Sequence, residues 1–350
     1  MFTSLIDKLE KEEILTQEEF SALIKNRTKE DEEYAAKKAR SIANSIFGNK
    51  IYLRGLIEFT NYCKNDCFYC GIRCSNKQAD RYRLSLEEIM SCCENGYKLG
   101  FRTFVLQGGE DPWFTDERMT QIIRSIRASY PDCAITLSIG EKSEESYRAY
   151  FASGCDRYLL RHETATPSHY RKLHPENLSL ENRKNCLRTL KKIGFQTGCG
   201  FMVGSPYQTP EDIARDLIFI HELKPQMVGI GPFIPHAQTP FADKKAGSLR
   251  DTLFLLSLIR IMEKNVLLPA TTALATIDAT GREKGILAGA NVVMPNLSPL
   301  GVRKKYTLYD GKVCMGDEAA ECKMCLERRL NSIGYETVVS RGDYSYRDYS

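Results

Sequence analysis

No run of roughly 18 or more uninterrupted apolar residues occurs in this 350-residue chain, so nothing in it reads as a membrane-spanning helix. Its beginning, "MFTSLIDKLEKEEIL", lacks the apolar core and small-residue cleavage site of a secretory signal, and the expectation is a cytoplasmic protein. Blocks of like charge are also missing. The net charge of +4 is spread along the chain, which argues against a dedicated nucleic-acid surface. What the sequence does have is cysteine, thirteen in all. Without a secretory signal, so many thiols in a chain of this length point to metal ligation or catalysis rather than a disulfide framework. Six fall in two tight groups, Cys63, Cys67 and Cys70, and Cys314, Cys322 and Cys325. The scattered remainder (Cys74, Cys92, Cys93, Cys133, Cys155, Cys186, Cys199) reads as small buried hydrophobes.

The first 47 or so residues read as helices, with a capping box from Thr16 to Glu19. Then short apolar runs alternate with amphipathic segments: "IYLRGLIEF", "RTFVLQGG", "CAITLSIG", "DRYLLRHET", "QTGCGFMVG", "QMVGIGPFI", "LLPATTAL" and "ANVVMPN". Helix starts lie between them at Ser85, Ser143, Ser179 and Thr209, the last followed by Pro210, and helix stops at Gly100, Gly154, Gly194 and Gly289. Eight strand–helix units predict an α/β fold, a complete (β/α)8 barrel of the TIM type, with a doubly wound open sheet as the alternative. The expected division is an N-terminal helical extension over 1–47, the barrel over 48–296, and a C-terminal segment over 297–350 that closes the barrel and carries the second cysteine group. In either architecture chemistry belongs at the C-terminal ends of the strands.

Cys63, Cys67 and Cys70 form a C-x3-C-x2-C array just past the first strand. Structural zinc would need a fourth ligand, for which Cys74 is available, but four-cysteine zinc sites usually come as two separated C-x2-C pairs. An iron–sulfur cluster suits closely spaced thiolates better, and three ligands on a 4Fe-4S cluster leave one iron open. Strand positions that a TIM-type core would fill with aliphatic residues carry polar or soft ones instead: Arg54, Gln107, the pair Thr136 and Ser138, the pair Arg161 and Glu163, Met202, Thr271 and Thr272. A polar interior implies a cavity with an occupant. Arg54, Arg157 and Arg161 are expected near its mouth, where guanidinium forks suit anionic groups, and His162 points the other way by parity.

The cysteine array, the aromatic Tyr69 before its last member and the "QGGEDP" loop after the second strand resemble the radical S-adenosylmethionine (SAM) superfamily. With "IEFTNYCKNDCFYCGIR", "TFVLQGGEDP", "DRYLLRHETA", "VGIGPFIPH", "PATTA" and "VVMPN", the resemblance extends over nearly the whole chain to the biotin-synthase-like HydE family of FeFe-hydrogenase maturases. It implies a 4Fe-4S cluster on Cys63, Cys67 and Cys70, with SAM on its open iron. SAM would touch Tyr69, Gly108, Gly109, Glu110, Glu163 and Arg183. The substrate cavity would be lined by Arg54, Gln107, Thr136, Ser138, Arg161, Thr271, Thr272, Tyr306 and Tyr309. It further implies reductive cleavage of SAM to a 5'-deoxyadenosyl radical acting on a cysteine-bound iron carbonyl-cyanide precursor of the hydrogenase cofactor. Implied partners are a GTP-binding scaffold maturase, the other radical SAM maturase and an external low-potential electron donor.

The C-x7-C-x2-C group of Cys314, Cys322 and Cys325 resembles an accessory second iron–sulfur site, 2Fe-2S or 4Fe-4S, that only some members carry; zinc or plain buried cysteines remain open from spacing alone. A methylornithine synthase-like enzyme is the rival within the same fold, since one fold hosts many chemistries. Biotin synthase fits less well, because Cys133 and Cys199 do not reproduce its barrel cysteine pattern. A non-catalytic iron–sulfur carrier or scaffold would need neither a polar barrel interior nor the "GGE" loop.

Overall fold

The computed structural model describes residues 2–313 and 320–345, without the side chain of Glu321. Three helices lead, α1 (Thr3–Glu12), α2 (Gln17–Asn26) and α3 (Lys29–Phe47). The capping box at Thr16 forms as read, and a second one at Thr28 and Asp31 starts α3. These helices are part of the main body. α2 packs on α9 (Pro210–Leu223), and α3 packs on α10 (Leu249–Met262). Nine consecutive buried residues explain the second contact: α10 reads "LRDTLFLLSLIRIM" and is buried all round from Phe254 to Met262. Each fully buried Leu or Ile there contributes roughly 1.5–3 kcal/mol, so α10 needs cover on both sides.

The central sheet is parallel, in the order β2 (Gly55–Thr60), β3 (Thr103–Gly108), β4 (Ala134–Ser138), β5 (Arg157–Leu159), β6 (Gln196–Cys199), β8 (Met227–Val228). Its crossovers are α4 (Leu86–Lys98), α5 (Asp116–Ser129), α6 (Glu144–Ala152), α7 (Pro167–Leu173) with α8 (Leu180–Ile193), and α9. Capping boxes at Ser85 and Thr209 and serine caps at Ser143 and Ser179 start four of them.

Several runs read as single strands are broken. The first divides at Arg54 into β1 (Lys50–Leu53), which pairs with β10 (Val292–Val293) and β11 (Glu336–Val338), and β2. The fifth divides at Gly200 into β6 and β7 (Met202–Val203); at φ +151 a Cβ there would lie 2.0 Å from the Gly229 carbonyl oxygen, so only glycine fits. β9 (Gly231–Pro232) pairs with β7. The run "LLPATTAL" makes isolated parallel bridges only, Leu267 to Met227 and Pro269 to Val292. Thr271 and Thr272, expected on that strand, instead cap and begin α11 (Thr272–Ile277), because the chain turns helical directly after Ala270. A further bridge joins Leu56 to Asn296, with Leu56 N donating to Pro295 O at 2.9 Å and Leu297 N to Leu56 O at 2.7 Å.

After α12 (Gly281–Leu287) and α13 (Leu300–Arg303), the C-terminal segment reaches both ends of the strands. Toward their C-terminal ends, Leu308 O accepts from Gly71 N at 2.9 Å, and Lys312 Nζ pairs with the buried Glu58 of β2. α14 (Lys323–Ser332) and β11 then return toward the N-terminal ends, where Arg341 and Asp343 cover the base. Among the described residues no helix is long and apolar enough to cross a membrane.

Candidate functional site

Leaving β2, the chain is pinned at its first step: Thr60 Oγ1 donates to Asp111 Oδ2 at 2.8 Å, and Asp111 also takes a two-pronged contact from Arg83 at 2.7 and 3.0 Å. Those hydrogen bonds hold the Asp111 carboxyl below the usual carboxylate range although burial alone would raise it. The following loop carries Cys63, Cys67 and Cys70, all unoxidised and half-buried. Burial raises all three thiols; Cys67 is pushed up to about 12, where Arg183 opposes and Cys63 adds to the effect, and Cys70 rises further. Such thiols stay protonated until a metal replaces the proton. Among the described residues no three His, Cys, Asp or Glu side chains converge on a single-ion position. Cys74 itself is exposed, a correction to its expected burial, since the loop turns outward where Cys74 N donates to Asn65 O. The other six scattered cysteines are buried.

The loop after β3 presses against this one. A Cβ on Gly109 would stand 2.2 Å from Tyr62 O and 2.7 Å from Cys63 Cβ, and one on Gly108 2.7 Å from Thr60 Cγ2. Neither contact leaves room for a side chain. Glu110 is buried, its Oε1 accepting from Glu141 N at 2.9 Å and its Oε2 lying 3.4 Å from Lys64 Nζ.

Beyond β5, "RHET" makes a sharp corner. Glu163 sits at φ +64, in the left-handed region that a glutamate rarely adopts. Arg161 Nη2 lies 2.9 Å from Glu163 Oε2, yet the pair is misaligned: Arg161 Nε and Nη2 and Glu163 Oε2 are buried without a hydrogen bond. His162 points away, as parity requires, into a buried contact with Asp216 and Phe219 of α9. Arg183 on α8 donates Nη1 to Arg161 O at 3.1 Å and pairs with Glu141. Burial would weaken its hold on the proton, but Tyr170 and Glu141 outweigh that and raise it. Tyr69 hydrogen-bonds His174 at 3.1 Å, and His174 stacks on Tyr170 with ring centroids 3.9 Å apart. Burial lowers His174 to about 3, so its ring is neutral, and the Tyr170 hydroxyl is buried without a partner.

The remaining expected residues divide into two groups. Gln107 Nε2 meets the Tyr306 hydroxyl at 3.4 Å, and Thr136 Oγ1 and Thr271 Oγ1 are buried and unpartnered, with Ser138 at the end of β4. Thr272 and Tyr309 each engage a partner within the fold. Arg54 and Arg157, expected at the mouth, lie at the opposite end of the strands. Arg157 opens β5, and its guanidinium contacts Thr103 Oγ1 at 3.1 Å, Arg341 O at 2.8 Å and Asp343 Oδ1 at 2.6 Å. Arg54 precedes β2, its Nη1 3.0 Å from Met227 Sδ; burial, then the Arg157 charge, weaken its hold on a proton. Cys314 lies outside the described residues, while Cys322 and Cys325 have their sulfurs 3.6 Å apart. Asp111, Glu141, His174, Glu58 and Lys312 were not singled out by sequence. Of these, Asp111 stood in the quoted "QGGEDP" and could have been found as the partner that ties that loop back to the first strand.

Residues 57–220 match the model of the Radical SAM superfamily. The chain is 42% identical over 330 residues to the FeFe-hydrogenase maturase subunit HydE of Thermotoga maritima, covering 94% of each. It is 30% identical to 3-methylornithine synthase of Methanosarcina barkeri over 88% of this chain and 87% of that one. Among solved structures, methylornithine synthase (PylB) superposes with a TM-score of 0.85 at 27% identity, over 95% of this chain and 97% of the other. The FeFe-hydrogenase maturase HydG gives 0.82 at 20% identity over 97% and 76%, a likeness of fold. Both this degree of identity and its reach across the chain place the protein in the radical SAM superfamily and, within it, in the HydE family of FeFe-hydrogenase maturases.

Proposed function

We propose that the protein acts on a cysteine-bound iron carbonyl-cyanide precursor in assembly of the FeFe-hydrogenase cofactor. The observation that carries this reading is three half-buried, unoxidised thiols on one loop whose neighbours, Arg161, Glu163 and Tyr170, hold polar atoms unmatched inside the protein. Buried polar groups without partners are costly, about 1–3 kcal/mol each, and such a set fits a polar, charged ligand. The family implies a 4Fe-4S cluster and SAM, and the donor set suits both. When bound, the cluster supplies the electron that cleaves the SAM sulfonium to an adenosyl radical.

The chain's own residues would hold and screen that pair. Cys63, Cys67 and Cys70 would release their protons to solvent and bind iron as thiolates. Glu110, fixed through Glu141 N, would accept from the ammonium of SAM, next to the backbone that Gly108 and Gly109 leave bare. Glu163 and Arg183 would bracket its polar groups, and Tyr69, braced by His174, would meet the adenine. Gln107, Thr136, Ser138, Arg161, Thr271, Thr272, Tyr306 and Tyr309 would line the substrate cavity, with Arg54 at its floor. The bridges at Leu267, Pro269 and Asn296 support reading the sheet as a complete eight-stranded barrel over 48–296, between the 1–47 extension and the 297–350 segment. Cys322 and Cys325, with Cys314, would bind an accessory iron–sulfur cluster. The protein would work in the cytoplasm with the GTP-binding scaffold maturase, the other radical SAM maturase and a low-potential electron donor.

The test is anaerobic. Wild type, reconstituted with iron and sulfide, reduced and given SAM, should form 5'-deoxyadenosine, and Cys67→Ala should form none. A loaded, reduced wild type that forms none would leave only a non-catalytic iron–sulfur protein. The likeness to methylornithine synthase motivates a second reading, rearrangement of lysine. Conversion of lysine to 3-methylornithine in the same assay would favour it.

A further inference from the structure

Phe68 stands on the cysteine loop directly after Cys67, and its ring lies edge-on to Phe241 with centroids 6.2 Å apart. Phe241 in turn meets Tyr207 at 6.3 Å. Tyr207 is 55% exposed and held at φ +68. For a bulky side chain that conformation costs on the order of 1 kcal/mol or more, and a ring directed into water offsets little of it. Strain of this kind is kept where an outside contact uses it.

The charge around this aromatic row is predominantly positive. Lys172 Nζ lies 5.4 Å from the Tyr207 ring centre, and Arg171 beside it is exposed on α7. Lys244 and Lys245 follow Phe241, and Asp243, the carboxylate among them, is engaged by Lys244 at 3.3 Å. Arg171, Lys172 and Lys245 enter no ion pair among the described residues. α7 is tied to the cysteine loop by Phe68 N donating to Leu173 O at 3.0 Å, so the cations sit at a fixed place relative to Cys67. A partly exposed aromatic anchor within a rim of unpaired cations suits an anionic protein surface.

We propose that Tyr207, backed by the half-buried Phe68 and the buried Phe241 and surrounded by Arg171, Lys172, Lys244 and Lys245, forms the docking face for an acidic one-electron carrier protein of low potential. The carrier loses one electron and the cluster gains one; no bond forms or breaks, and no proton moves. The proposal rests on Cys63, Cys67 and Cys70 holding the redox cluster, and the experiment separates the two. Reconstituted full-length protein is mixed anaerobically with flavodoxin hydroquinone, and cluster bleaching is followed by stopped flow; a parallel arm uses dithionite. Wild type should be reduced by flavodoxin with a rate that falls steeply as salt rises. Lys172→Glu/Lys245→Glu should lose about tenfold or more of that rate at low salt, with the dithionite rate unchanged. Tyr207→Gly should also slow flavodoxin alone, without lowering the melting temperature. Flavodoxin rates equal to wild type in these variants, with the same salt dependence, would overturn the proposal. Failure of dithionite to bleach any cluster would overturn the reading on which it rests.

Discussion

The two ends of the strands treat buried charge in opposite ways. At the base, Arg157 spends its guanidinium on Thr103, Arg341 O, Asp343 and Gln196, and Arg341 adds a bond to Asp156. At the mouth, Arg161, Glu163 and Tyr170 keep buried polar atoms unmatched, and Glu163 holds a strained backbone as well. Saturated networks rigidify, whereas unsatisfied ones are tolerated where a ligand completes them. The base is closed by the protein itself, and the mouth is built to be finished by something else. Arg54 is the exception at the base, with Nε and Nη2 unpartnered, and it marks how deep the unfinished region extends.

The sharpest break of this contrast is at the mouth's tightest contact. Gly109→Ala would push a methyl group to 2.2 Å from Tyr62 O, backbone that cannot swing aside. The cysteine loop and the "GGE" loop must then separate, and displacements near 1 Å at reacting groups cost about 100-fold. Formation of 5'-deoxyadenosine per mole of loaded protein should fall at least that far. A variant with undiminished turnover would show that the two loops need not touch.

Next in size is the tie between the C-terminal segment and β2. Lys312 and Glu58 form an ion pair with side chains 7% and 1% exposed, and Asn296 Nδ2 adds a bond to Glu58 at 2.9 Å. Removing one charge strands the other, so Lys312→Met should lower unfolding stability by about 3–5 kcal/mol, read by urea denaturation. The double variant Lys312→Met/Glu58→Leu should recover most of the loss. An equally unstable double variant would mean that packing, not the stranded charge, sets the effect.

How much of this contrast could be read beforehand depends on distance along the chain. The cysteine array, the "GGE" loop and the caps at Thr16, Ser85 and Thr209 are local patterns, and the caps formed where they were read. Glu58 with Lys312, or Arg157 with Asp343, join residues more than 180 positions apart, and no local periodicity encodes such a meeting. Parity placed His162 correctly because it acts within one strand, but it does not say at which end of a barrel an arginine sits, and so Arg54 and Arg157 were set at the wrong end. The helix at Thr272 escaped for another reason: "PATTA" is too short to distinguish a strand from a helix start.

The base predicts a smaller, pH-dependent effect. Burial would raise the Asp343 carboxyl, but Arg341 and Arg157 overcome it and hold it near about 2. A folded-state value below the unfolded one, about 3.9, means the stabilisation is present above that value and lost as pH falls through about 2. Asp343 is 37% exposed, so solvent screening discounts the pair: Asp343→Asn should cost about 1 kcal/mol at neutral pH, and the gap to wild type should close between about pH 4 and pH 2. Cleavage of SAM by the variant should be unchanged. A large loss of cleavage at unchanged stability would move the base into the functional site and dissolve the contrast.

The smallest effect has the opposite sign. At φ +64, Glu163 occupies a conformation that glycine adopts without penalty, and its carboxylate lies misaligned beside Arg161. Glu163→Gly relieves the strain but widens the unfolded ensemble, so the net gain should be about 0.5–1 kcal/mol, a rise of a few degrees in melting temperature. Cleavage of SAM should fall at the same time, because the residue lost is one that the corner exists to present. Stability and activity moving apart at one position is what a strained functional corner requires. If the variant is both less stable and less active, Glu163 is held by contacts within the fold, and the mouth is as complete in itself as the base.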